Sequence, residues 1–189
     1  MDIMTTVYFI THPEVIPDPG IPISMWDYTD YGASRWDKIL SKLWIKDIEK
    51  LYSSPETRAI KAAQKMADSL NYNLHVREDL GPVKRPNDKV LTPEEFAAAR
   101  GQFYQFPQVG NSGWEKAVDA QHRIIVAIDT ILQESLSVHH IAVVSHEDLE
   151  ILLLCHVKQI EIQTIDINDV GAALHYENGA CVNWEKLEL

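Results

Sequence analysis

Apolar residues along this chain change their spacing several times, and each change marks an element. Thr5-Thr6-Val7-Tyr8-Phe9-Ile10-Thr11 is an unbroken β-branched and aromatic run, short enough for a buried strand. It stops at His12-Pro13, where proline removes a ladder donor. Trp36, Ile39, Leu40, Leu43 and Trp44 then recur at helical spacing and predict a helix over about Asp30 to Ile45. A short strand near Glu49 to Tyr52 runs into Ser53-Ser54-Pro55, and Ile60, Ala63, Met66/Ala67 and Leu70 give a helix from Glu56 to Leu70. Asn73 to Val76 reads as a third strand.

The second half repeats the alternation. Thr92-Pro93-Glu94-Glu95 opens a helix with Thr92 as N-cap, Pro93 in the first position and Glu95 closing a capping box. Val118, Ile124, Ile125, Ile128, Ile131 and Leu132 stripe a long helix from about Trp114 to Leu136. Ile141-Ala142-Val143-Val144 is a strand, and Leu149, Leu152, Leu153 and His156 face one side of the next helix. Gly171 to Trp184 reads as a hairpin around Asn178-Gly179, a preferred two-residue turn. Strands alternating with helices imply a three-layer α/β/α sandwich, its sheet mostly parallel with an antiparallel edge from the hairpin. With 189 residues, no repeats and no low-complexity segment, one domain over residues 1–189 suffices. Four of the nine prolines lie between Pro13 and Pro22, which makes that stretch a stiff loop and not a linker.

In an open α/β sheet, ligands bind where loops leave the carboxyl ends of strands. Three polar sets sit there: Thr11-His12, Ser54 to Arg58, and His146. Two imidazoles and a guanidinium at one rim suit phosphoryl chemistry, in which one imidazole attacks phosphorus while the other groups hold its oxygens. The start of the helix after Glu56 adds backbone N–H groups for the same anion.

These sets resemble, in order and spacing, the signatures of the histidine phosphatase superfamily, whose members are phosphoglycerate-mutase-like. The family's Arg-His-Gly after strand one stands here as Thr11-His12-Pro13. Its Ser-Ser-Pro followed by Arg-Ala stands as Ser53-Ser54-Pro55-Glu56-Thr57-Arg58-Ala59, and its Ser/Gly-His-Gly as Ser145-His146-Glu147. Thr-His-Pro-Glu-Val together with Gly113 to Gln121 looks like a bacterial branch of that superfamily. The resemblance implies a phosphoglycerate-mutase-like fold and a metal-independent phosphatase without a cofactor. It implies phosphohistidine at His12, with Arg58 and His146 as catalytic phosphate clamps and Thr11 beside them.

Departures from the pattern define a second reading. Thr11 replaces a guanidinium by a hydroxyl, and Glu147 and Asp148 follow His146, where facing the pocket they would repel phosphate and raise the His146 pKa. A general acid is expected on the loop after strand three. The branch resembled places a Glu directly after Leu80-Gly81, and here that residue is Pro82. Glu78 and Asp79 are the candidate acids, with Asp88 a third choice, while Lys84, Arg85 and Lys89 make the loop locally basic. A catalytically impaired member that binds a phosphate ester or a protein is therefore the alternative.

Composition narrows the partners. Lys and Arg total 17 against 28 Asp and Glu, a net charge of −11, which repels nucleic acid and anionic membrane surfaces. A small phosphorylated molecule or phosphate is the expected partner; oligomeric state is not addressed by the sequence. No apolar run approaches the ~18 residues of a membrane span, and the first residues lack a basic leader, so a cytoplasmic location is expected. Cys155 and Cys181 lack metal spacing and read as buried thiols in place of a disulfide; His75, His122, His139, His140, His156 and His175 show no ligand spacing.

Overall fold

The computed structural model describes residues 5–86, 91–110, 113–165 and 181–184. Its five strands are β1 (Thr6–Thr11), β2 (Lys50–Ser53), β3 (Leu74–Val76), β4 (His140–Ser145) and β5 (Cys181–Trp184), in the spatial order β3-β2-β4-β1-β5. The pairs β1/β4, β4/β2 and β2/β3 are parallel, and β5 runs antiparallel to β1. The expected hairpin around Asn178-Gly179 lies outside the described residues, as do Asp88 and Lys89.

Alternation along the strands separates two cores. Val7, Phe9, Tyr52, Ile141 and Val143 face helices α3 (Pro93–Gln105), α4 (Ala117–Gln133) and α5 (Glu147–Val157). Tyr8, Ile10, Leu51, Ala142 and Val144 face α1 (Asp30–Leu40) and α2 (Thr57–Leu70). Phe9, Ile10, Ile141, Val143 and Val144 are fully buried, each contributing on the order of 1.5–3 kcal/mol of transfer free energy. A one-residue register slip in β1 or β4 would exchange the two cores, so the pleat fixes which residues lead into the rim.

Two helices differ from the sequence expectation. The helix expected to reach Ile45 ends at Leu40, and residues Leu43–Asp47 form a 3₁₀ segment. Ser41 turns its hydroxyl back to the Lys38 carbonyl there, and Trp44 leaves the helical path to stack on Tyr8 at 4.5 Å. The helix expected from Trp114 begins at Ala117, because Trp114 and Glu115 are spent on tertiary contacts ahead of it. The Thr92 capping box forms as expected. Trp36 locks α1 to α2 by donating its buried indole N–H to the Ala62 carbonyl. The proline-rich loop folds back onto the start of α1, where a Cβ on Gly32 would come within 2.8 Å of the Glu14 carbonyl.

Candidate active site

Parallel register brings the three polar sets to one edge. Thr11 pairs with Ser145 across β1/β4, and Ser53 with Val144 across β2/β4, so His12, Ser54 and His146 step off three adjacent strands together. The ladder continues one residue further, with His12 N–H donating to Ser145 O at 3.0 Å and Ser54 N–H to Val144 O at 2.9 Å. The rings of His12 and His146 meet edge to face, 5.0 Å apart. Helices α2 and α5 begin at this edge and aim their N-termini at it.

His12 has a defined tautomer. Its Nδ1 donates to the Pro13 carbonyl at 2.7 Å, which leaves the lone pair on Nε2. Arg58 Nε–H donates to that Nε2 at 3.0 Å, and the same guanidinium donates through Nη1 to Ile23 O and to Glu56 Oε2, each at 2.8 Å. Arg58 is only 4% exposed, so its planar group is fixed on three sides. Burial, and then the Arg58 charge, lower the His12 pKa from 6.5 to about 4. His12 is therefore a neutral imidazole with its nucleophilic nitrogen defined.

His146 is 5% exposed, and burial, followed by the charges of His12 and Arg58, drops its pKa well below the usual value. Ser54 Oγ lies 2.7 Å from His146 Nε2 and accepts from Glu56 N–H at 3.3 Å. The Ser54 hydroxyl thus joins His146 to the start of α2 and orients its ring.

The three residues line a cavity of about 1200 Å³ whose other walls include Val15, Ile23, Trp26, Pro82, Phe96 and Trp114. Arg85 also lines it, with its guanidinium 4.9 Å from the Phe96 ring centre and 5.5 Å from that of Trp114. Glu147 and Asp148 do face the cavity, but Arg100 of α3 meets both, at 3.2 Å and 2.6 Å, and Tyr104 donates to Asp148 at 2.8 Å. The rise expected for His146 is not found: desolvation, then the charges of His12 and Arg58, lower its pKa.

The remaining sequence candidates stand elsewhere. Thr11 donates its hydroxyl to Glu150 Oε2 at 2.6 Å and is not among the residues lining the cavity. Asp79 is gripped by Arg77 through two bonds of 3.0 and 2.8 Å, which hold its carboxyl below the usual range, so it has no proton to give near neutral pH. Glu78 is exposed and outside the cavity. Pro82 occupies the wall where the acid was expected. Glu150, whose carboxyl burial pushes up to about 8, lies behind Thr11 and outside the cavity.

A strut that local sequence patterns do not signal shapes the far wall. Arg123 of α4 donates to the carbonyls of Asp79, Gly81 and Pro82 at 2.8, 2.9 and 3.0 Å, and pairs with Glu115. Glu115 in turn donates its N–H to Lys84 O at 2.7 Å and accepts Lys84 N–H at 3.0 Å. Among the described residues no group of His, Cys, Asp or Glu is placed to hold a metal ion, and no helix is long and apolar enough to cross a membrane. Cys155 is a buried free thiol; the Cys181 side chain lies outside the described residues.

The family model of the histidine phosphatase superfamily (branch 1) matches residues 29–176. The chain belongs to that superfamily. The match includes Arg58 and His146 and begins after His12, so the His12 assignment rests on geometry. No curated protein matches the chain. Among solved structures, a phosphoglycerate mutase from Bacillus anthracis has a TM-score of 0.75 at 17% identity, covering 98% of this chain and 89% of that one. A mycobacterial glucosyl-3-phosphoglycerate phosphatase has a TM-score of 0.70 at 15% identity, over 85% and 82%. A phosphoserine phosphatase mutant from Entamoeba histolytica, in complex with phosphoserine, has 0.69 at 16%, over 84% and 82%. At these identities the likeness is one of fold, and this superfamily member shares the phosphoglycerate-mutase-like α/β architecture.

Proposed function

We propose that the chain is a metal-independent phosphatase for a small phosphate monoester, acting through phosphohistidine at His12. The observation that carries this reading is the pair of bonds at His12: Nδ1–H to Pro13 O and Nε2 facing Arg58. Attack requires Arg58 Nε to transfer its hydrogen bond from Nε2 to a phosphoryl oxygen. Nε2 then forms the P–N bond as the P–O ester bond breaks, and charge on the transferring oxygens is met by Arg58 and His146. Water attacks phosphorus in the second step, releasing phosphate and neutral His12. The surrounding burial keeps His12 unprotonated above about pH 4, so no general base is needed to free the nucleophile.

Leaving-group protonation is the weak point. Pro82 stands at the expected acid position, and Asp148 is bonded to Arg100 and Tyr104. The enzyme is therefore selective for leaving groups that depart as weak bases, such as phenolates, over alkoxides. The same observation supports the second reading, a phosphate-ester-binding module with lost turnover. An aryl phosphate and an alkyl phosphate assayed side by side, on wild type and His12→Ala, separate the two. The phosphatase reading expects aryl turnover that disappears with His12. Phosphate binding without turnover of either ester would support the binding module instead.

A further inference from the structure

We propose that Arg85 is the second phosphate-binding cation of this cavity, in the role that the missing guanidinium at residue 11 would otherwise fill. The inference rests on the proposed reading only in taking a phosphoryl group as the ligand. Arg85 lines the same cavity as His12, Arg58 and His146 but arrives from the opposite wall. Its guanidinium rests on Phe96 and Trp114, whose rings are themselves 5.8 Å apart, so the plane of the cation is set by packing. Its backbone neighbour Lys84 is bonded in both directions to Glu115, and the preceding carbonyls are held by Arg123. A long side chain is thus held from both ends, which lowers the ordering entropy lost when an anion binds.

Its donors are also uncommitted. Arg58 is bonded to Glu56, Arg77 to Asp79 and Glu134, Arg100 to Glu147 and Asp148, and Arg123 to Glu115. Arg85 makes no ion pair or side-chain hydrogen bond with any described residue, although a guanidinium carries five N–H groups. The half-buried cation feels the charges of Asp148 and Glu56 but bonds to neither, so its N–H groups stay open to an anion in the cavity. Its charge acts on both Arg58 and His146, lowering the pKa of each, which places it within electrostatic reach of the phosphate clamp. Two guanidinium groups from opposite walls favour the dianion of a phosphate monoester over the monoanion of a diester.

The test is the affinity of the full chain for inorganic phosphate, by isothermal titration, in wild type, Arg85→Met, Arg85→Lys and Arg58→Met. Arg85→Met is expected to weaken phosphate binding roughly 10- to 100-fold, and Arg85→Lys by less, because it keeps the charge and loses the fork. A structural role on the aromatic rings alone would leave phosphate affinity unchanged, and that result overturns the proposal. So does a wild type that binds no phosphate. Should Arg85→Met fail to fold, Arg85→Lys decides by the same reading: weakened phosphate affinity supports the proposal and unchanged affinity overturns it. Phosphate binding that depends on Arg85 in a protein without aryl phosphatase turnover removes the hydrolase reading and leaves this inference standing. Turnover retained with phosphate affinity indifferent to Arg85 does the reverse.

Discussion

The two walls of the cavity are built by different means. The phosphate wall is assembled from three strand ends in register, where His12, Ser54 and His146 are adjacent because β1, β2 and β4 are adjacent. The other wall is a loop, residues 77–86, tied to the sheet only at Arg77, whose N–H donates to Ser53 O, and at Leu80, whose carbonyl accepts from Ser145 Oγ. The rest of it is held by side-chain clamps from Arg123 and Glu115. Geometry on the first wall follows from backbone ladders and tolerates surface change. On the second wall it depends on two side chains some 30–45 residues away in sequence, so this is the wall on which a catalytic acid can be lost and a cation gained without disturbing the sheet.

The largest effect is expected at Arg58. Replacing it by Met removes the phosphate wall's cation and leaves Glu56 buried without its partner, so kcat/KM on an aryl phosphate is expected to fall on the order of 10²–10³-fold. A loss below 10-fold would mean that Arg58 only supports the loop around Ile23. A smaller effect is expected on the second wall. Arg123→Met unties the carbonyls of Asp79, Gly81 and Pro82 and should raise KM about 10-fold while changing kcat little. Equal losses in KM and kcat would instead place the loop within the reacting centre.

Proton linkage gives two further tests. Because His12 has its pKa lowered to about 4 in the fold, kcat/KM should rise with pH through about 4 and stay level through 6.5, after correction for the substrate's own ionisation. An acid limb at 6.5 would show an unburied, ordinary imidazole. Glu150 works in the opposite direction on stability. Its folded pKa is raised from 4.5 to about 8, so between those values the unfolded chain ionises while the folded one stays protonated. Stability therefore declines as pH rises across that window, and Glu150→Gln should flatten the decline and gain about 2–4 kcal/mol at pH 8 in denaturant melts. A variant with the wild-type pH slope would show that Glu150 is ionised in the fold.

What could be read from the sequence follows the same division. The phosphate wall was legible because each of its residues immediately follows a strand or opens a helix, so local periodicity and three short signatures located His12, Arg58 and His146. The α3 capping box was legible for the same reason: all its partners lie within four residues. The partner of the Thr11 hydroxyl was not legible, since Glu150 lies far along the chain. Whether Glu147 and Asp148 face the cavity was left open by the sequence, and the neutralising Arg100 comes from another helix. Asp79 lay near the right loop, yet Arg77 two residues away had already claimed it. Pairwise long-range electrostatics is what a linear reading lacks.

The central claim, that His12 Nε2 carries the phosphoryl group, is tested most directly by intact-protein mass spectrometry after rapid quenching of the enzyme with an aryl phosphate. The expected result is a mass increase of one phosphoryl group that is stable in alkali, labile in acid and absent in His12→Ala. Turnover with no such adduct, or an adduct that persists in His12→Ala, would contradict it.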